Sequence, residues 1–391
     1  MKKFLNLGLQ PLANSYVINK NLNKKEKKFK LEIGFDPKTY LVSIINTVPK
    51  EKMFNESYPY KSSESVTMKK AFKKLSNKIK KRFNPKTILE IGSNDGPFLK
   101  NFNKKNIIGI EPCKNLAKIT KNMGYTTISE YWDTKLAKKL IKKKKFDVIY
   151  SANTLSHIKN ISDIFKAIEF SLNDNGILIL EDPSLLECIK NLAYDQFYCE
   201  HLYVFSAIAL KENLKKHNLE IFDIENTSTH GGSNRYFIKK KDNHNFKLTK
   251  NLFLNYKKEY TYGLNKLSTY QKFAKKVEKS KKDLIKIFKS INEKKEKIIG
   301  YGATAKSCTV LNYCNLGKKE IEFFYDTTSF KINKYLPGTK IKIKKYKKLN
   351  NEYKYVYLGA WNFKKEIFNK EKSFRKMGGK FITHVPKPRI I

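Results

Sequence analysis

The run Ile88-Leu89-Glu90-Ile91-Gly92-Ser93-Asn94-Asp95-Gly96 constrains this chain more than any other. A strand that ends in a glycine turn and restarts as a helix brings backbone N–H donors to a point a ligand can approach closely. The residues after it keep that rhythm. Strands are expected at 87–91, 107–110, 125–128, 146–151 and 176–181. Helices are expected to start at 97–102 and to occupy 114–123, 134–143 and 161–172. This alternation predicts an α/β fold with a doubly wound parallel sheet. Upstream, 65–83 reads as an amphipathic Lys-rich helix stopped at Asn84-Pro85, and 1–66 reads as irregular. Downstream, 206–238 reads as a helix and then strands that close the sheet. Residues 250–292 read as one long helical stretch with Leu264, Leu267, Phe273, Val277, Leu284, Ile287 and Ile291 as its apolar face. A second Rossmann-like α/β unit begins at Lys297-Ile-Ile-Gly-Tyr-Gly302, with strands at 321–325 and 355–358 and an apolar run at 381–385. The expected division is an N-terminal segment 1–66, a central domain 67–245 and a C-terminal domain 246–391.

The charge balance is extreme: 81 Lys and Arg against 36 Asp and Glu, a net +45. Such a chain invites a nucleic-acid reading. Only Arg82, Arg235, Arg375 and Arg389 are arginines, however, and specific readers of phosphates and base edges favour the guanidinium fork. The lysines spread along the whole chain, so a solvated lysine coat is expected and no nucleic-acid partner. Anionic small molecules would still be drawn to it. Apolar runs such as 176–180 fall far short of the ~20 residues a spanning helix needs, so no membrane partner is expected. Asn6, Gln10 and Asn14 interrupt what would be a signal-peptide core, which predicts a cytoplasmic protein. Cys113, Cys188, Cys199, Cys308 and Cys314 form no CxxC pair, and the six histidines form no HExxH pattern. Neither a disulfide framework nor a metal site is expected from them.

Two glycine turns are candidate cofactor sites. In the first, Gly92 and Gly96 lack the GxGxxG spacing of nicotinamide binding, and Glu90 stands two positions before Gly92. Glu111, after the next strand, is placed to accept ribose hydroxyls. S-adenosylmethionine carries a sulfonium and an amino group, so an acidic, glycine-lined turn suits it better than a pyrophosphate. An ordinary α/β turn with Glu90 as a helix cap is the alternative. The second turn, Gly300-Tyr-Gly302-Ala303-Thr304-Ala305-Lys306, could cradle a diphosphate with Lys306 as counter-charge, or be a tight turn with a surface lysine.

Several segments together resemble the S-adenosylmethionine-dependent C-methyltransferases of deoxysugar biosynthesis, which act on nucleotide-diphosphate 4-keto sugars. They are Leu7 to Asn14, Tyr58-Pro-Tyr60-Lys-Ser-Ser63, Glu90 to Gly96, Asn153-Thr-Leu-Ser-His157, Tyr198-Cys-Glu200-His201, His230-Gly231-Gly232-Ser233, Gly300 to Lys306 and Tyr335-Leu-Pro-Gly338. The resemblance implies that Tyr60, Ser63, Glu90, Gly92, Asn94, Gly96, Glu111 and Asn153 line the cofactor pocket. It implies that Tyr198, Glu200 and His201 form the reaction centre. His230 to Ser233, with Gly300, Gly302 and Lys306, would hold the sugar nucleotide. His230 is equally readable as a turn residue, and His157 as a residue that caps its helix or shapes the pocket.

The chain departs from the family in one place. Members open with a zinc-binding domain built on two Cys pairs. Here residues 1–66 are expected to be a shortened remnant of that domain, capping the active site: the first pair is absent, and Asp36 and Thr39 stand where the second would be. Neither replaces a thiolate well, so no structural zinc is expected. Carbon methylation needs a carbon nucleophile, formed when a base removes a proton beside a ketone and the enolate oxygen is stabilised. His201 is expected to be that base, with Tyr198 donating to the oxygen or positioning the sugar and Glu200 tuning or orienting the site; the alternative is a hydrogen-bonded core histidine, since Leu202, Val204 and Phe205 follow it. The same cofactor half would serve an O- or N-methyltransferase of a small metabolite, an RNA methyltransferase, or a binding protein that had lost catalysis.

Overall fold

The structure, a computed structural model, describes residues 1–142 and 144–391. Its N-terminus is not irregular. β1 (Lys2–Pro11), β2 (Lys28–Phe35) and β3 (Val42–Ile44) form an antiparallel sheet. In β2, Leu31, Ile33 and Phe35 alternate inward while lysines face out. In β1, register shifts around Leu5 and Gly8 break the alternation, which hides the strand from a pattern reading. The turn after β2 is closed by Asp36, which accepts from Lys38 N at 3.0 Å and from Thr39 Oγ1 at 2.7 Å. The two residues at the second Cys-pair positions therefore bond to each other.

The central domain follows the expected order. Ser65 caps the helix Val66–Phe83, and left-handed Asn84 ends it. β4 (Ile88–Ile91), β5 (Ile107–Ile110), β6 (Thr126–Ile128), β7 (Phe146–Ala152) and β8 (Leu172–Pro183) are parallel, with β4 between β5 and β7. β9 (Tyr203–Val204) crosses back to pair with β3. β10 (Leu219–Thr227) and β11 (Ser233–Lys240) close the sheet antiparallel, in the order β10-β11-β8-β7-β4-β5-β6. The helix expected to start at 97–102 is a single 3-10 turn, Leu99–Asn101. Asn101 Nδ2 donates to the carbonyls of Pro97 and Phe98, and such local bonds compete with helix propagation. The helix expected at 134–143 is Thr134–Ile141, and Lys143 lies outside the described residues.

The long helical stretch is two helices, Lys250–Tyr262 and Leu267–Glu293, separated at Gly263 (φ +86°). The first packs on β10 and the helix Ala207–Leu214. The second packs on β1 and on the helix Ala305–Cys314. The change of packing partner thus falls at Gly263. The C-terminal sheet contains β12 (Ile298–Tyr301), β13 (Phe323–Asp326), β14 (Tyr335–Leu336), β15 (Ile341–Lys345), β16 (Tyr355–Leu358), β17 (Lys380–Thr383) and β18 (Arg389–Ile390). Its order is β14-β15-β13-β12-β16-β17-β18, again with a central strand flanked by parallel neighbours. Among the described residues, no helix is long and apolar enough to cross a membrane.

The N-terminal sheet has no core of its own. Leu31, Ile33 and Phe35 join Phe273, Val277 and Leu311 in one cluster, and the rings of Phe4 and Phe35 lie 5.0 and 4.7 Å from that of Tyr270. The sheet is thus built into the C-terminal half by apolar burial. Residues 1–112 contain no Cys or His, so the segment lacks both ligand types a structural zinc site prefers. Elemental analysis of purified protein should find zinc far below stoichiometric. About one tightly held equivalent per chain would contradict this donor-set argument.

Candidate active site

The turn after β4 is shaped by what crosses it. Gly92 has φ +78°, and a Cβ there would fall 2.0 Å from Thr154 Oγ1, so only glycine lets the loop after β7 pass. Asn94 (φ +51°) is left-handed, a conformation asparagine tolerates. Gly96 is also left-handed (φ +82°). Glu111, at the end of β5, accepts from Asn94 N at 2.8 Å and Cys113 N at 2.9 Å. Asn153, at the end of β7, is left-handed with its N–H on Glu181 O at 2.8 Å. Residues 60–63 strap the turn. Ser62 N donates to Asn94 Oδ1 at 2.9 Å, and Asn94 Nδ2 donates to the Tyr60 carbonyl at 3.1 Å. Ser63 donates through both its N–H and its hydroxyl to Asp95. Tyr60 meets the turn through its backbone, and Asp95, which anchors the strap, was not singled out by the sequence.

The seat is acidic and unbalanced. Glu90 and Asp95 are buried beside Glu111. Burial, then the charges of Glu111 and Asp95, push Glu90 well above the carboxylate range. Burial also raises Glu111, against the two N–H groups that bind it. Glu90 Oε2 and Ser93 Oγ are buried without partners. A cationic ligand with hydrogen-bond donors would discharge this cluster.

Tyr198, Glu200 and His201 stand together. His201 Nδ1 lies 2.8 Å from the Gln196 carbonyl, which can only accept, so Nδ1 carries the proton. Nε2 is then free to accept from the Tyr198 hydroxyl at 2.6 Å. Burial, then His157 and Lys306, hold the His201 imidazole well below its ordinary pKa, so it is neutral. The His157 ring stacks on it at 5.0 Å and is itself lowered to about 4 by burial. Glu200 faces the N-terminal segment. Asn14 Nδ2 donates to both its oxygens at 2.8 and 2.9 Å, and the Tyr58 hydroxyl donates at 3.3 Å. Burial nevertheless raises Glu200 to about 7. Tyr58 links this centre to the cofactor side, because Asn115 Nδ2 donates to its carbonyl at 3.1 Å. Asn14 and Tyr58 were legible only as members of longer motif segments.

The remaining candidates form a scaffold beside His201. His230 is left-handed (φ 53°), and its carbonyl accepts from Gln196 Nε2 at 2.8 Å and Lys306 Nζ at 3.3 Å. A Cβ on Gly231 would fall 2.4 Å from Trp361, and one on Gly232 2.9 Å from Glu187. Ser233 Oγ donates to the Thr229 carbonyl. Lys306 is not a surface lysine. It is buried, with its ammonium 5.0 Å over the Trp361 ring. Trp361 Nε1 and His384 Nε2 both meet the buried carboxylate of Asp195, at 2.6 and 3.1 Å. Asp195 and His384 are thus structural partners that no motif pointed to. At the second glycine turn, a Cβ on Gly300 would meet Phe324 at 2.4 Å and one on Gly302 would meet Ala360 at 2.5 Å. Three N–H groups there are already taken: Ala303 by Asp326, Thr304 by Ser307 Oγ and Ser307 by Thr304 Oγ1. Packing accounts for both glycines without a phosphate.

Three family models tile the chain: a putative zinc binding domain over residues 1–54, a methyltransferase domain over 60–224 and a C-methyltransferase C-terminal domain over 228–386. The C-methyltransferase NovU of Streptomyces niveus is 27% identical over 99% of this chain and 93% of its own length. Among solved structures, an S-adenosylmethionine-dependent methyltransferase from Clostridium acetobutylicum ATCC 824 is 15% identical over 44% of this chain and 91% of its own, with a TM-score of 0.34. The magnesium protoporphyrin IX methyltransferase ChlM of Synechocystis PCC 6803, with bound cofactor, is 12% identical over 44% and 79%, also with a TM-score of 0.34. The residues around Gly92 fit S-adenosylmethionine, since the orphaned Glu90 Oε2 and the cradle at Gly92 meet a cationic, donor-bearing ligand. With a methyltransferase domain followed by a C-methyltransferase C-terminal domain, and a C-methyltransferase relative aligned over nearly its whole length, the chain is an S-adenosylmethionine-dependent methyltransferase.

Proposed function

We propose that the protein methylates a carbon next to the ketone of a nucleotide-diphosphate 4-keto deoxysugar, with His201 as the base. The observation that carries this reading is the orientation of His201: Nδ1 fixed on Gln196 O and Nε2 turned to Tyr198. A buried imidazole held neutral, with its basic nitrogen on a phenol, is prepared to take a proton. S-adenosylmethionine, when bound, supplies an electrophilic methyl group. The chain's residues do the rest. Glu90, Asp95, Glu111 and the Gly92 turn hold the cofactor's cationic and hydroxyl-bearing ends. The substrate displaces the Tyr198 hydroxyl from Nε2. His201 Nε2 then takes the α-proton, and the C–H electron pair moves into the enolate. Tyr198 donates its hydrogen bond to the enolate oxygen. Burial and, when ionised, Glu200 raise the Tyr198 hydroxyl and so keep it the protonated donor the enolate oxygen needs. The curated relative is a C-methyltransferase by name, which supports the carbon over the oxygen acceptor.

His201→Ala should lower kcat by roughly 10²–10⁴, the usual worth of a positioned base, and abolish deuterium exchange beside the ketone. Exchange at the wild-type rate would remove His201 from this role. Glu200 lies at about 7, and its ionised form is the useful one. kcat/KM should therefore rise with pH through that region. Asn14→Ala removes a bond that lowers Glu200, so it should move the rise to higher pH, and Glu200→Gln should erase it. An unchanged profile in both variants would separate Glu200 from the chemistry.

The raised Glu90 carries a further prediction. A cationic ligand favours its ionised form, so cofactor binding should release a proton and tighten as pH rises. Calorimetry of S-adenosylmethionine binding in buffers of different ionisation enthalpy reads the proton directly. Glu90→Gln should weaken binding and abolish the release. Proton uptake, or no proton change in the wild type, would contradict the acidic-seat account.

A further inference from the structure

A cavity of about 740 Å³ opens from Glu200 toward solvent. Asn14, Tyr16 and Tyr58 line it beside that carboxylate, while Lys24, Lys25, Lys27, Lys52 and Lys334 also border it. Two acids, Glu26 and Glu200, oppose these five lysines, and both are engaged elsewhere. Each Glu26 oxygen accepts from Gly338 N at 2.9 Å, and Glu200 is held by Asn14 and Tyr58. Among the described residues, none of the five lysines pairs with a carboxylate. Lys334 lies 3.1 Å over the Phe330 ring. Lys27 and Lys52 come within hydrogen-bonding reach of each other, which depresses the Lys52 ammonium.

The lysine-bearing loop is held in place. Val17 and Tyr335 exchange two backbone hydrogen bonds, at 3.0 and 2.8 Å, and Gly338 binds Glu26 in the middle of Lys24, Lys25 and Lys27. The chain therefore gathers five lysines around a cavity whose two carboxylates, Glu26 and Glu200, bond to other groups, and a dianionic group would relieve that excess of like charge. Ammonium groups on flexible stems bind phosphate as point charges. Lys306 does not line this cavity, and its ammonium is committed to the His230 carbonyl and the Trp361 face.

We propose that the rim formed by Lys24, Lys25, Lys27, Lys52 and Lys334 binds the diphosphate of the substrate, so that its sugar end reaches Glu200 through the cavity. This rests on the sugar-nucleotide reading above and moves the diphosphate from the Gly300–Lys306 turn to the N-terminal segment. The sugar ring then enters past Tyr58 and Asn14, and the nucleoside remains outside the rim.

The test is calorimetric titration of inorganic pyrophosphate and of thymidine and uridine diphosphates into the full chain. Lys27→Ala/Lys52→Ala, Lys334→Ala and Lys306→Ala are compared with the wild type, and S-adenosylmethionine binding checks that each variant is folded. The wild type should bind the diphosphates with an affinity that falls as salt rises. The rim variants should bind them on the order of tenfold more weakly or worse, with cofactor binding unchanged. Equal affinity in wild type and rim variants, with the loss confined to Lys306→Ala, would overturn the rim. Absence of diphosphate binding to the wild type would do the same. Methyl transfer to a 4-keto sugar nucleotide with KM unchanged in the rim variants would overturn this site and leave the proposed function standing. Rim-dependent pyrophosphate binding without transfer to any sugar nucleotide would instead overturn the sugar reading.

Discussion

A buried carboxylate with no cation beside it organises this molecule. Glu200 is 2% exposed, and no Lys or Arg forms a salt bridge with it among the described residues. An acid in that position must be given hydrogen-bond donors or be protonated, because an unsatisfied buried charge costs several kcal/mol. The donors come from the N-terminal segment: Asn14 just past β1 and Tyr58 from the loop before Ser62–Glu64. Apolar packing of β1 and β2 around Tyr270 holds this segment in place, so that Asn14 and Tyr58 can reach Glu200. The same segment reaches the second glycine turn, where the Tyr16 hydroxyl donates to the Ala303 carbonyl at 2.8 Å. Asn14 and Tyr16, near neighbours in the chain, thus touch both halves of the enzyme.

The interior and the surface carry opposite electrostatic characters. Outside, lysines dominate and set the net +45. Inside, Glu90, Asp95 and Glu111 cluster at the proposed cofactor seat, while His157, His201 and His230 are held neutral by burial. A neutral imidazole is the useful form of a base, and a cluster of acids is the useful form of a seat for a sulfonium. Lys306 and Asp195, buried near one another at the domain junction, keep Trp361 and the His230 carbonyl beside Gln196, whose own carbonyl fixes His201. In the proposed function, the C-terminal domain thus acts on the reaction centre by positioning.

Much of this was legible in the sequence, and the rest was hidden for physical reasons. The central strands at 88–91, 107–110 and 146–152 are mostly buried on both faces, so they read as largely apolar runs and were placed within a residue or two. The N-terminal strands were missed because lysines occupy the outward face of β2 and β1 is interrupted by register shifts. The break at Gly263 was masked by apolar periodicity continuing on both sides of it. Tyr198, Glu200 and His201 could be read because they lie within four residues of each other. Asn14, Asp95, Asp195 and His384 could not, since their partners are distant in sequence. The glycines of the second turn look like a phosphate cradle in one dimension. In three they admit Phe324 and Ala360.

The most direct test of the account is the site of the new bond. Transfer from ¹³C-methyl S-adenosylmethionine to a panel of nucleotide-diphosphate 4-keto-6-deoxy sugars, read by NMR, reports whether the labelled methyl couples through one bond to a ring carbon. The account predicts that coupling, at a carbon adjacent to the ketone. A labelled methyl attached to oxygen or nitrogen would contradict it.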